Sequence, residues 1–185
     1  MSTVVVALNS SVYQKTINRF VLIKNFRIFV FMLSKEERKA KNTAFWEEFR
    51  KVMRNYKSSN GRGINWINYP TDVKDVYLRM HCDAKGAQLS FDIQPKDDGI
   101  RSILWEQMTE LRKVMEAEMK FEAVWNEVDH EFAGRKVSRI LWKNDALNFF
   151  DEDQKAAIHT FFKERLLAFD RFYQEYKEIL ILLAE

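Results

Sequence analysis

Hydrophobic residues recur at two different spacings along this chain, and the change of spacing marks its secondary structure. Between positions 75 and 94 apolar and polar residues alternate, which is typical of strands with one buried face. Turn residues at positions 83–86 divide this stretch into two strands. Before and after it, apolar residues recur every three or four positions, as on one face of a helix. The pattern therefore predicts a central β-hairpin between helical segments.

The two strands of this hairpin must place their apolar side chains on the same face, and this requirement fixes their register. It pairs four sets of residues: Cys82 with Ala87, Arg79 with Ser90, Tyr77 with Asp92, and Asp75 with Gln94. We call the other face the polar face; its predicted members are Asp75, Tyr77, Arg79, His81, Ser90, Asp92 and Gln94, with Lys96 just beyond Pro95.

The remaining segments predict helices around further strands. The spacing of Ser34 and Glu37 predicts a capping box at the start of the first helix, which the turn residues 58–63 should end. Residues 64–69 read as a strand, residues 98–120 as a second helix, and the turn at 133–136 as the centre of a second hairpin. A long apolar stripe then predicts a last helix, capped by Asp151 and Gln154. The expected fold is α+β: a helix, an antiparallel three-stranded meander, a helix, a second β-hairpin and a long C-terminal helix packed on one sheet face.

Residues 1–31 do not resemble the rest of the chain. They contain four basic residues and no acid, and Lys24 and Arg27 interrupt their apolar runs. No run approaches the ~20 residues of a membrane span. We expect residues 1–31 to be an arm that is disordered or lies upstream of a true start at Met32; a basic amphipathic segment for a membrane surface or a partner is the alternative. Residues 32–185 are expected to form a single domain.

Charge and cysteine content narrow the function classes. The chain has a net charge of +3, and because residues 1–31 supply +4, the rest carries only −1. The basic balance is therefore no argument for nucleic acid. The single cysteine, Cys82, excludes an internal disulfide and suits a reducing, cytoplasmic location.

The polar face offers the sharpest candidate chemistry. Asp75 and Asp92 lie diagonally across the predicted hairpin, with Lys96 close by. Two carboxylates and a lysine can hold Mg²⁺ or Mn²⁺ and activate a water, as phosphodiester hydrolysis requires. The order of elements also resembles that of restriction-endonuclease-like nucleases, but Gln94 stands where their motif has lysine. A solvated face or a binding surface without catalysis are the other interpretations.

Other candidate residues favour structural roles. Trp66 could stack on a base or sugar and Asn68 could hydrogen-bond to its edge, but a sheet edge packed under a helix is the favoured interpretation. His81, His130 and His159 lack metal-ligand spacing. The stripe of the last helix indicates core or a homodimer face.

Several stretches together resemble the bacterial domain-of-unknown-function 4268 family. These are Asn65-Trp66-Ile67-Asn68-Tyr69, residues 75–80, Glu106-Gln107, Val137-Ser138-Arg139-Ile140 and the closing Phe-rich helix with Asp170. The resemblance runs from about position 34 to position 177. It implies a bacterial domain that is sometimes joined to nuclease-like domains, and it implies no particular activity.

The expected function is a non-enzymatic module that binds a protein partner or nucleic acid through the polar face and needs no cofactor. The binding residues proposed for it are Trp66, Asn68, Tyr77, Arg79, Ser90, Gln94, Glu106, Gln107 and Arg139. The alternative is a divergent metal-dependent nuclease, with Asp75, Asp92 and Lys96 as catalytic residues and both aspartates as ligands of Mg²⁺ or Mn²⁺.

Overall fold

A computed structural model describes residues 34–132 and 134–185. Residues 45–185 form one compact unit, and the described residues before position 45 belong to a separate one. The predictions for the basic arm lie outside the described residues. Helix α1 spans Lys35–Met53 and begins with the predicted capping box. The Ser34 amide donates to the Glu37 carboxylate (2.7 Å), and the Glu37 amide donates to the Ser34 hydroxyl (3.1 Å).

The two hairpins combine into one four-stranded antiparallel sheet. Its strands are β1 (Val76–Asp83), β2 (Gly86–Ile93), β3 (Val124–Phe132) and β4 (Arg135–Asn144). They lie in the order β1-β2-β4-β3, so that β2 and β4 are central and β1 and β3 are the edges. Helices α2 (Asp98–Glu110) and α3 (Arg112–Met119) connect the hairpins, and a 3₁₀ turn (Glu152–Gln154) leads into helix α4 (Lys155–Leu183).

The predicted register of the first hairpin is confirmed. Tyr77 pairs with Asp92, Arg79 with Ser90 and Cys82 with Ala87. Gly86 is required at the turn for two reasons. Its φ is +147°, and a Cβ there would lie 2.6 Å from the backbone oxygen of Asn144.

The apolar face of the sheet packs against α4, as predicted. The Phe91 ring lies 5.3 Å from that of Phe169 and 5.8 Å from that of Tyr173. Trp142 packs on the same helix, 6.1 Å from Phe169. The aromatic stripe of the last helix is therefore core for most of its length. Only towards its end do large apolar side chains such as Leu182 become exposed.

The predicted strand at residues 64–69 is wrong, and so is the three-stranded meander built on it. The side-chain oxygen of Asn65 accepts from the amides of Ile67 and Asn68, which closes a local turn. Trp66 donates its indole N–H to the backbone oxygen of Tyr56 (2.9 Å). The buried residues here, Trp66 and Tyr69, lie three positions apart, which is not the two-residue spacing of a strand.

Helix boundaries also differ from the predictions. Helix α1 ends at Met53, before the turn residues expected to stop it. The predicted helix at 98–120 is two helices that meet at Leu111, where ψ is −2° and no Gly or Pro signals a break. Of the predicted caps of the last helix, Asp151 accepts from the Asp153 amide in the 3₁₀ turn, while Gln154 caps no amide of α4. Val52, Tyr56 and Ile103 are exposed, although they stand at helical spacing with residues of the core.

Candidate functional site

The polar face of the sheet is organised around Asp92. Asp92 lies on the central strand β2, directly opposite Tyr77 of β1 and Arg139 of β4. Its side chain is fully buried, although it belongs to the polar face of the sheet. A buried carboxylate is strongly unfavourable unless it is paired and hydrogen-bonded.

Two arginines from the two flanking strands satisfy this carboxylate. Arg139 donates from Nε to Asp92 Oδ1 (2.7 Å) and from Nη2 to Oδ2 (2.9 Å), which is a bidentate pair. Arg79 donates from Nη1 to Asp92 Oδ2 (2.6 Å). The side chains of Arg79 and Arg139 remain 43% and 25% exposed, so they cover Asp92 and face solvent themselves.

Arg139 extends this network of charged hydrogen bonds to strand β3. Arg139 also donates to Asp129 (2.9 Å), whose other partners are His130 (2.7 Å) and Asn126 (3.1 Å). Hydrogen bonding to Asp92 is the main reason that the pKa of Arg139 is raised. Burial alone would raise the pKa of Asp129, but His130, Arg139 and Asn126 together lower it. Arg139 is thus held as a cation by carboxylates on both sides.

A bulge in β3 is stabilised by Ser138, the residue before Arg139 in β4. Asn126 pairs with Arg139 and His130 with Val137, so that three residues of β3, 127–129, lie opposite the single residue Ser138 of β4. Within this irregular stretch the backbone oxygen of Glu127 accepts hydrogen bonds from the Ser138 hydroxyl and from Arg101 (3.2 Å). The buried Arg101 of α2 also donates to the Ser138 hydroxyl (2.6 Å). The Val137-Ser138-Arg139-Ile140 stretch therefore joins α2, β2 and β3.

Tyr77 and Arg79 form the exposed part of the polar face. The Arg79 guanidinium lies 4.2 Å from the centre of the Tyr77 ring, a cation–π contact. Tyr77 is 39% exposed. Arg79 Nη1 also approaches the Gln94 side-chain oxygen (3.3 Å), and Ser90 lies buried beneath. His81 is exposed beside Asp83, with 3.4 Å between its Nε2 and the carboxylate.

The three predicted catalytic residues do not share one environment. Asp75 precedes β1 with a left-handed φ of +58°, and its carboxylate accepts from Arg135 (3.2 Å). Asp75, Arg135 and Lys96 line a depression of about 350 Å³, which Asp92 does not line. Both oxygens of Asp92 already bind arginine. Within the described ranges, no group of three His, Cys, Asp or Glu side chains is arranged to hold a metal ion.

The other predicted binding residues lie elsewhere. Trp66 is buried in the core, whereas Asn68 is exposed. Glu106 and Gln107 line a separate depression of about 640 Å³ beside α2, together with Trp105. The structure therefore brings Tyr77, Arg79, Ser90, Gln94 and Arg139 together and leaves Trp66, Asn68, Glu106 and Gln107 apart from them.

A second buried carboxylate, Asp170, was not predicted as a site. It lies on α4 and accepts hydrogen bonds from the Ser58 hydroxyl (2.8 Å), the Ser59 amide (2.6 Å) and the Tyr69 hydroxyl (2.8 Å). Burial, followed by the hydrogen bond to Asp170, raises the pKa of Tyr69, so Tyr69 stays a donor. The sequence did contain a signal for this buried carboxylate, because Asp170 stands at helical spacing between the core residues Leu166 and Tyr173. This network fastens residues 58–69 to the last helix.

Among the described residues no helix has the length and apolar character needed to cross a membrane.

Searches of curated proteins and of solved structures each found no match to this chain. A family model does match, over residues 42–177, and it covers the turn at Asn65, both hairpins and Asp170. The chain therefore belongs to the domain of unknown function family DUF4268.

Proposed function

We propose that this domain is a non-enzymatic binding module that engages a protein partner through the polar face of its sheet. The observation that carries the proposal is the buried Asp92, which fixes Arg79 and Arg139 while leaving both partly exposed. An arginine held by a carboxylate and stacked on Tyr77 loses little side-chain freedom on binding. Arginine and tyrosine are also enriched among the residues that dominate binding energy at protein interfaces.

The charge balance favours a protein over nucleic acid. Residues 32–185 carry a net charge of −1, and on the polar face Asp92 and Asp129 offset the two arginines. Sequence-independent binding to a phosphate backbone depends on several unpaired lysine or arginine side chains. Nucleic-acid binding is therefore the less favoured outcome of the test.

The test compares proteins captured by the immobilised full chain and by three variants. Tyr77→Ala and Arg79→Ala remove the exposed pair. Arg171→Ala is the matched control, because Arg171 is an exposed arginine on α4 that pairs with the partly exposed Glu118 (2.5 Å). We expect a partner that Arg171→Ala retains, that the other two variants lose, and that survives nuclease treatment of the extract. Capture that is identical for all four chains contradicts the proposal, and loss on nuclease treatment indicates nucleic acid instead.

A metal-dependent nuclease is the second candidate, since Asp75 and Lys96 line the same depression. A metal that used Asp92 would first have to displace both Arg79 and Arg139. The assay is cleavage of single- and double-stranded substrates with Mg²⁺ or Mn²⁺. Cleavage that Asp75→Asn and Lys96→Ala abolish would favour this candidate, and wild-type inactivity would remove it.

A further inference from the structure

The outer edge of β1 carries backbone groups that the described part of the chain does not use. The backbone amide of Gln94 donates to the backbone oxygen of Asp75 (2.9 Å). Because hydrogen-bonded positions alternate along an antiparallel pair, the residues of this strand whose backbone groups face β2 are Asp75, Tyr77, Arg79 and His81. The intervening positions, Val76, Leu78, Met80 and Cys82, direct their amide and carbonyl groups outward.

Local contacts close this edge at its start and leave its middle open. The Val76 amide donates to the Val73 oxygen (3.3 Å), and the Val76 oxygen accepts from the Thr71 hydroxyl (2.7 Å). Among the described residues, nothing hydrogen-bonds the outward groups of Leu78, Met80 and Cys82. Residues 78–82 thus present six unused backbone groups, and unused edge groups are a template for a further strand.

The edge also lacks the features that commonly protect sheet edges. Strand β1 pairs with β2 over eight consecutive residues without a bulge, and it contains neither proline nor lysine. Its charged side chains, Arg79 and Asp83, stand on the polar face together with His81 and not across the edge. A regular strand of this length can accept an extended segment through main-chain hydrogen bonds.

The side chains beside this edge specify the chemistry of such a segment. On the polar face, Arg79 uses Nη1 for Asp92 and Gln94, while its Nε and Nη2 have no partner within the described residues. This free side of the guanidinium fits a carboxylate. His81 lies next along the same face. On the opposite face the neighbours are Leu78, Met80 and Cys82, which favour apolar side chains.

We propose that the partner contributes an extended segment of alternating acidic and apolar residues, which adds to the sheet as a fifth strand along residues 78–82. The acidic positions then lie beside Arg79 and His81, and the apolar positions face the side of Leu78 and Met80. This inference rests on the proposed function, because it specifies how the partner engages the same face.

The experiment uses the full chain and a library of nine-residue peptides with glutamate at alternate positions and varied β-branched residues between them. The best binder is then made in two N-methylated forms, each blocking every second backbone amide. Strand addition uses only one of these two sets. We expect one form to bind at least about 10-fold more weakly and the other to bind almost unchanged, since each main-chain hydrogen bond contributes about 1 kcal/mol.

Two further measurements separate the possible results. Amide exchange at Leu78, Met80 and Cys82 should slow when the peptide binds, and Arg79→Ala should weaken binding while Arg171→Ala does not. Equal binding of the two N-methylated forms, or no binder in the library, overturns strand addition. The proposed function still stands in that case if partner capture depends on Tyr77 and Arg79, and it fails separately if capture does not.

Discussion

Asp92→Asn is the substitution that tests the organisation of the polar face most sharply. It keeps the shape of the side chain and removes the charge that faces Arg79 and Arg139. Neutral asparagine presents one acceptor oxygen and one N–H₂ group, which is repelled by a guanidinium donor. The variant therefore leaves two arginines without their shared counter-charge at a position with no exposure to solvent.

The size of the effect follows from the contacts. Three hydrogen bonds of 2.6–2.9 Å are lost or weakened, and each bond to a charged group contributes about 1.5–3 kcal/mol. Both arginines reach water, so part of this loss is recovered by hydration. We expect the free energy of unfolding to fall by about 3 kcal/mol, near the lower end of the range for a broken buried pair.

Urea unfolding, monitored by tryptophan fluorescence, measures this change as a shift in the midpoint urea concentration at a constant m-value. Asp145→Asn is the control, because Asp145 is 61% exposed and pairs with Lys143 (2.8 Å). An exposed pair of this kind contributes about 0–1 kcal/mol. If Asp92→Asn destabilises the chain no more than Asp145→Asn does, Asp92 does not anchor the polar face.

Three further predictions concern groups outside the polar face. Tyr69→Phe should lower the free energy of unfolding by about 1.5–3 kcal/mol, because it removes a hydrogen bond to the buried Asp170; a loss below about 0.5 kcal/mol in urea unfolding would contradict this role. Burial lowers the pKa of His159, so the unfolded chain binds its proton more readily. The free energy of unfolding should therefore fall as pH drops from about 7.5 through the ordinary histidine value near 6.5, and melting curves of His159→Gln should show a shallower pH dependence than the wild type. Burial raises the pKa of Cys82 to about 12, so its thiol should resist alkylation at pH 8 until urea unfolds the chain; rapid labelling of the folded chain would refute this.

Local pattern was sufficient for the parts of the fold that depend on near neighbours. Alternation in β1 and β2 determined their register, because a shift by one residue would expose Leu78 and Met80. The spacing of Ser34 and Glu37 was enough for the capping box, whose two hydrogen bonds span only three residues.

Contacts between distant segments could not be predicted in the same way. Alternation does not say which strands of two hairpins become neighbours, so the pairing of β2 with β4 was unknown from the sequence. That pairing brings Arg139 to Asp92, 47 positions away, and turns a solvated aspartate into a buried one. Trp66 and Tyr69 are buried because they are hydrogen-bonded to Tyr56 and Asp170, and the apolar residues at 64–69 do not reveal whether such anchors or strand pairing bury them.

The proposed binding to a protein partner depends on Arg79, which Asp92 anchors and which stacks on Tyr77. Its most direct test is calorimetric titration of the captured partner with the wild-type chain, Arg79→Ala and Arg171→Ala. Loss of a dominant interface residue costs at least about 2 kcal/mol, which is about 30-fold in Kd. We expect at least that weakening for Arg79→Ala and an unchanged Kd for Arg171→Ala. An Arg79→Ala chain that binds the partner as tightly as the wild type would contradict this proposal.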